Sequence, residues 1–304
     1  MTEASHAPLR SRDLVAIVAI VVIWGLNFVV MKYGLAHFTP LQMGAGRFLF
    51  ACLPFILFLP PPQVRARWLI AFGLSQGVGQ FGCLFLALHV GMTAALASVL
   101  MQTQVFFTAL FGVLLLGERI GPALKLGMGF AAVGLGCFAI NVVVAQGGAV
   151  TGWGLALNLC AAALWAVANI VVRRAQHDSP HFDPLRFVVW GCALAVPPFL
   201  ALSWWIDPPE AWQNWLVAPW QAWVGFAVLG WLATTLANGV WASLLKRYPA
   251  SRVAPFSLGV PLVGMAAGVG LLGEQVSWLQ WLGAAFVVCA LLSVLAVPRL
   301  RRSA

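Results

Sequence analysis

The stretch LVAIVAIVVIWGLNFVVMKYG at residues 14–34 decides what kind of protein this is. It carries one charged side chain, Lys32, and it reaches the length of about 20 residues that a helix needs to cross a bilayer. Because lipid offers the backbone no hydrogen-bond partner, such a run must satisfy its own backbone groups, as an α-helix does. The run therefore predicts a membrane-spanning helix, with Trp24 and Asn27 near its middle.

The same pattern recurs along all 304 residues of the chain. Hydrophobic residues make up 62% and charged residues only 8%, against roughly 25% charged residues in soluble domains. The mean hydropathy is +0.93. This composition excludes a soluble enzyme and a disordered chain, and it predicts an all-α integral membrane protein with ten transmembrane helices. The ten apolar runs are 14–34, 41–60, 68–89, 93–116, 124–144, 152–173, 185–206, 219–245, 251–272 and 278–297.

The basic residues predict the orientation of these helices. If the N-terminus is cytoplasmic and each run crosses once, only Lys32 and Arg47 of the 17 Lys and Arg residues lie at outer ends. The remaining fifteen lie inside, as the positive-inside rule requires. We therefore predict that both termini are cytoplasmic. The net charge of +9 is explained by topology, so we expect no nucleic-acid partner.

The two halves of the chain repeat each other. We predict one repeat at residues 14–144 and a second at 152–297, each with five helices. Since five is odd, the two repeats have opposite orientations in the membrane, which is an arrangement typical of transporters. The matching segments are LGER at 116–119 with LGEQ at 272–275, NFVVMK at 27–32 with NIVVRR at 169–174, and TPL at 39–41 with DPL at 183–185.

Neutral polar and aromatic residues recur inside the runs, whereas motifs for catalysis, metal binding or nucleotide binding are absent. We therefore predict no catalytic residue, no metal and no cofactor, and expect a small-molecule substrate and the lipid bilayer as partners. An unpaired amide in hydrocarbon costs several kcal/mol, so these side chains should line a polar cavity or bond between helices. The predicted substrate-binding residues are Trp24, Asn27, Gln76, Gln80, Gln102, Gln104, Trp165, Asn169, Thr234 and Asn238. On the eighth run, the predicted polar face comprises Trp231, Thr234, Thr235, Asn238 and Trp241.

Three charged residues and two prolines each allow two interpretations. Arg47 lies several residues into its run, so it either reaches the surface or has a function. Glu118 and Glu274 either cap the next helix or carry protons. Pro255 and Pro261 interrupt the hydrogen bonds of the ninth run, which either exposes carbonyl groups to a substrate or produces a kink.

These features resemble the EamA branch of the drug/metabolite transporter superfamily over nearly the whole chain. Within it, the motifs WGLNFVV at 24–30, QTQVFFT at 102–108, RY at 247–248 and RVAP at 252–255 resemble those of the bacterial O-acetylserine/cysteine exporters. This resemblance implies ten helices, an inner-membrane location and export of small metabolites by alternating access.

The sequence thus predicts an inner-membrane exporter of small amino acids or metabolites of the cysteine and O-acetylserine type, and not an enzyme. One alternative is an exporter of aromatic amino acids or lipophilic drugs, which the 15 tryptophans permit. The other is a membrane-embedded enzyme or lipid-handling protein, for which a polar cluster at one membrane face is expected. The coupling ion and the oligomeric state stay open.

Overall fold

The computed structural model describes residues 10–116, 121–144, 150–248 and 253–300. Within these ranges the regular structure is entirely helical, with no strand, which confirms the all-α prediction. The principal helices are α1 (Ser11–Gly34), α2 (Pro40–Cys52), α3 (Ala66–His89), α4 (Ala94–Leu115), α5 (Pro122–Val144), α6 (Gly152–Asp178), α7 (Pro184–Ile206), α8 (Trp220–Leu244), α9 (Phe256–Leu272) and α10 (Trp278–Leu300).

Seven of the described helices, α1 and α3 to α8, are long and apolar enough to cross a membrane. The helix α9 and the segment Trp278–Ser293 of α10 are shorter apolar helices. The protein is therefore a multi-pass membrane protein. Ten crossings stay a prediction.

The second helix is shorter than its apolar run. Thr39 begins α2 with a capping box, in which its hydroxyl accepts from the Gln42 backbone N–H at 3.1 Å. The helix ends at Cys52, so the prediction of one continuous span over 41–60 is wrong. The residue that precedes a proline is driven out of the helical region. Leu53, before Pro54, accordingly has extended backbone angles, with φ −91° and ψ 139°.

Two π-helical stretches interrupt α3 and α8, at Gly73–Phe81 and Val228–Leu236. A π turn holds an extra residue, so the side chains that follow it point in a new direction. The predicted single polar face of α8 is therefore wrong in part. The indole of Trp231 donates to the Leu53 carbonyl at 2.7 Å, and the hydroxyl of Thr235 donates to the Ala51 carbonyl at 2.7 Å.

The described helices pack in close pairs. Helix α5 lies along α10, α2 lies against α7, and α9 contacts both α1 and α4. Gly44 and Gly46 allow α2 its close approach, because a Cβ atom at either position would overlap the ring of Phe199 on α7 or of Phe226 on α8. Both rings are fully buried. This packing fixes the position of Arg47, which follows Gly46 directly.

Glu274 caps a helix, although a different one from the predicted next helix. Its two carboxylate oxygens accept hydrogen bonds from the backbone N–H groups of Ala94 and Ala95, at 2.7 and 2.8 Å. These N–H groups belong to the first turn of α4, against which α9 packs. The next helix, α10, has its own cap, in which Ser277 and Gln280 bond each other reciprocally. Glu118 lies outside the described residues.

Candidate functional site

A cavity of about 490 Å³ lies among the helices and draws its walls from both halves of the chain. Cavities of roughly 300–1,000 Å³ are the usual size of small-molecule sites. Nine of the ten predicted residues line this cavity: Trp24, Asn27, Gln76, Gln80, Gln102, Gln104, Trp165, Thr234 and Asn238. The sequence prediction therefore selected side chains that the fold brings together, although their contact with a substrate stays a prediction.

Helices α1 and α8 form an aromatic part of the wall. The indole N–H of Trp24 donates to the Ala233 carbonyl at 2.9 Å, which satisfies the polar atom of a partly buried ring. The ring of Trp241 lies 5.3 Å from that of Trp24, measured between centroids. Asn238 donates to the Thr234 carbonyl one turn before it. The carbonyl groups of the interrupted helix α8 are thus partly bonded by side chains that line the cavity.

Gln102 joins α4 to α9 at another part of the wall. Its amide nitrogen donates to the Ser257 carbonyl at 3.2 Å. In a regular helix this carbonyl would accept from the residue four positions later, but Pro261 has no N–H. Gln102 therefore supplies a donor where the proline removes one. This contact bears on the open interpretation of Pro261, because a carbonyl group four residues before the proline accepts a hydrogen bond from a cavity residue.

Asn169 is not part of the cavity wall. Its amide nitrogen donates to Gln104 Oε1 at 2.8 Å and to Thr108 Oγ1 at 3.1 Å. Thr108 also donates to Gln104 Oε1, at 3.3 Å. The three side chains form a small network between α4 and α6. Asn169 therefore orients Gln104, whose side chain does line the cavity.

Arg47 brings a positive charge into the wall. It is not one of the ten predicted binding residues, but the sequence left it two interpretations, and its burial shows that the one in which it reaches the membrane surface is wrong. Only 3% of its surface is exposed. One guanidinium nitrogen, Nη1, donates to Asn27 Oδ1 at 3.0 Å, and the other, Nη2, donates to Thr234 Oγ1 at 3.0 Å. The Phe81 ring lies against the guanidinium, with 4.1 Å between Cζ and the ring centroid. A lone cation inside an apolar run was the available signal, and its partners come from α1, α3 and α8.

The electrostatics of the cavity are one-sided. Among the residues described along its wall, none is an aspartate or a glutamate, and Arg47 is the charged group. In the described ranges, no group of three or more His, Cys, Asp and Glu side chains could hold a metal ion. The polar interactions that this wall can offer to a ligand are hydrogen bonds and one positive charge, beside contact with its apolar and aromatic side chains.

Apolar helices that surround a cavity with both polar and apolar walls define a multi-pass membrane protein that can hold a small solute. The chain belongs to the EamA-like transporter family, whose model matches residues 12–140 and 152–296. It is therefore a transporter rather than an enzyme, and the alternative of a membrane-embedded enzyme is set aside.

Two relatives cover nearly the whole chain at 35% identity. Both are named "Probable amino-acid metabolite efflux pump", one from Salmonella typhimurium strain LT2 and one from Escherichia coli strain K12. The alignments cover 94% and 93% of this chain, and 95% and 94% of the relatives. A solved crystal structure superposes with a TM-score of 0.61 over 96% of this chain and 99% of that chain. Its sequence identity is 19%, so this likeness shows a shared fold.

Proposed function

We propose that this protein exports small amino-acid metabolites of the cysteine and O-acetylserine type across the bacterial inner membrane. The observation that carries the proposal is the single cavity that nine polar and aromatic residues from α1, α3, α4, α6 and α8 line together. Its amides and hydroxyls can bond a small polar solute that has no other partner inside the membrane. The two relatives at 35% identity, both named as amino-acid metabolite efflux pumps, support the substrate class.

The proposed mechanism is alternating access between two inverted repeats, 14–144 and 152–297. The packing of α2 on α7, α4 on α9 and α5 on α10 pairs helices of equal rank in the two repeats, which supports this division. The π-helical stretches occur in the third helix of each proposed repeat, which supports it further. Two similar halves around one site can exchange conformations and open that site to either side of the membrane.

The alternative substrate class, aromatic amino acids or lipophilic drugs, has its own supporting observation. Several aromatic rings line the cavity, and Trp24, Trp165 and Trp241 are among them. Such rings could stack on an aromatic substrate. We favour the smaller polar class because Gln76, Gln80 and the other amides of the wall would lose their hydration to a lipophilic ligand without gaining a hydrogen bond.

Uptake into everted membrane vesicles tests the function. Vesicles that contain the protein should take up radiolabelled cysteine or O-acetylserine faster than control vesicles, and faster than tryptophan. Gln102→Leu should lower uptake per folded molecule by about 5- to 150-fold, which corresponds to a loss of about 1–3 kcal/mol for an unpaired polar group. The leucine has a similar size but cannot form hydrogen bonds.

Asn141→Leu is the matched control. Asn141 is a buried amide on α5 that accepts from Ser277 Oγ at 2.6 Å and is not part of the cavity wall. This change should lower the melting temperature and leave uptake per folded molecule unchanged. Equal uptake per folded molecule by Gln102→Leu and the wild type would refute the assigned site. Tryptophan uptake without cysteine or O-acetylserine uptake would replace the substrate class.

A further inference from the structure

Arg47 is a buried cation without a counter-ion. Its polar contacts are neutral, namely the Asn27 and Thr234 oxygens and the Met31 sulfur, and the Phe81 ring covers it. In the part of the chain that the structure describes, no carboxylate forms an ion pair with it. Intramembrane charges are costly, and they commonly mark substrate or ion pathways. A negatively charged group on a substrate would therefore supply the counter-ion that Arg47 lacks.

The guanidinium has hydrogen-bond donors left for such a substrate. Of its five N–H groups, the two on Nη1 contact Asn27 Oδ1 and, at 3.7 Å, Met31 Sδ, whereas Nη2 contacts Thr234 alone. The Nε–H group is buried and has no partner. One N–H of Nη2 and the N–H of Nε thus remain. A carboxylate accepts two N–H groups from one guanidinium in the usual bidentate pair.

Gln80 carries an unpaired hydrogen-bond acceptor in the same cavity wall. Its side chain lines the cavity and is 3% exposed, and its Oε1 atom is buried without a hydrogen-bond partner. It lies in the π-helical stretch of α3, directly before Phe81, whose ring covers the guanidinium of Arg47. A carbonyl oxygen can accept from an ammonium group but cannot bond a carboxylate. Gln80 therefore carries an unpaired acceptor and directly precedes the residue whose ring covers the guanidinium, where the unpaired donors lie.

We propose that Arg47 binds the carboxylate of the substrate and that Gln80 accepts from its ammonium group. This inference rests on the proposed function and narrows it to α-amino acids whose two charged groups are both free. The cavity should reject amines that lack a carboxylate, because these leave Arg47 unpaired and add a second positive charge beside it. It should also reject N-acylated amino acids, which leave the Gln80 acceptor without its partner.

Ligand-induced stabilisation of the purified protein in detergent tests this selectivity without requiring transport. The probes are cysteine, cysteamine, which lacks the carboxylate, and N-acetylcysteine, which lacks the ammonium group. A second pair, tryptophan and tryptamine, covers the aromatic alternative. We expect the amino acid of at least one pair to bind at least about tenfold more tightly than its analogue, because a polar site discriminates strongly against the missing group. Equal binding within both pairs, or no binding by either amino acid, would overturn the inference.

Three variants separate binding from a structural role. In Arg47→Gln, the affinity ratio of amino acid to decarboxylated amine should fall towards one. Arg47→Lys should keep part of that ratio, since it retains the charge but loses the bidentate geometry. In Gln80→Leu, the ratio of cysteine to N-acetylcysteine should fall, while the ratio of cysteine to cysteamine stays above one. A merely structural role predicts lower melting temperatures with all ratios unchanged, and that result would overturn the inference.

The inference and the proposed function can fail separately. If Arg47→Gln does not fold, the wild-type ligand series and Gln80→Leu still decide the inference. Cysteine uptake by vesicles together with unchanged ratios in the variants would remove the inference and leave the exporter proposal intact. Carboxylate-dependent binding without uptake of cysteine or O-acetylserine would support the inference and remove the proposed substrates.

Discussion

Glu274→Gln should destabilise the contact between α4 and α9. In the wild type, the carboxylate accepts two backbone N–H groups of the first turn of α4, from Ala94 at 2.7 Å and from Ala95 at 2.8 Å. A hydrogen bond to a charged group contributes about 1.5–3 kcal/mol, and one to a neutral group contributes about half as much. The glutamine keeps one acceptor and turns its NH2 group towards the other N–H. The free energy of unfolding should therefore fall by about 2–4 kcal/mol, since one bond is lost and the other is weakened.

Reversible unfolding in mixed detergent micelles, followed by tryptophan fluorescence, measures this difference. Glu210→Gln is the matched control, because Glu210 is exposed in the connection between α7 and α8. Such a surface change should alter the free energy of unfolding by less than about 0.5 kcal/mol. If Glu274→Gln also changes the free energy of unfolding by less than about 0.5 kcal/mol, the cap contributes nothing measurable and our reasoning about this contact is wrong.

Two further predictions concern packing and topology. Gly46→Ala should lower the free energy of unfolding by about 1–3 kcal/mol, because its Cβ would overlap a buried ring of α8. Gly136→Ala, whose Cβ has no neighbour within 4 Å, should not destabilise the protein in the same micelle unfolding assay, and equal losses in both would contradict the packing argument. A reporter fused after Ala211 in a truncated chain and one fused after Ala304 should report opposite sides of the membrane. The same signal from both would rule out the predicted topology.

The length of the apolar runs predicted the helices well because lipid forces every long apolar run to bond its own backbone. The end of α2 was predicted poorly, because the residues after Cys52 are also apolar and hydropathy joins them to the helix as one span over 41–60. The local geometry before Pro54 decided the end of that helix. The prediction of a single polar face on α8 failed in part for a related reason. The π-helical stretch changes the helical periodicity on which that prediction depended.

The sequence predicted most of the residues that line the cavity, but it did not predict which contacts those residues form. Buried amides inside membrane helices must find polar surroundings, so their types alone indicated that Gln80 and Gln102 belong to a cavity or an interface. Which partner each one takes depends on helices far away in the sequence. Arg47 bonds Thr234 on α8, 187 residues after it, and Glu274 bonds the backbone of α4, 180 and 179 residues before it.

The π-helical stretches of α3 and α8 also bear on how those helices could move. A π turn accommodates one extra residue, so the extra residue can migrate along the helix while most backbone groups keep a bonding partner. When the extra residue moves along the helix, the residues that it passes rotate by about 100° around the helix axis. They also shift by about 1.5 Å along that axis. Gln80 and Thr234 lie within these stretches. A ratchet of this kind would swing their polar groups around the helix axis while both ends of each helix stay anchored in the membrane.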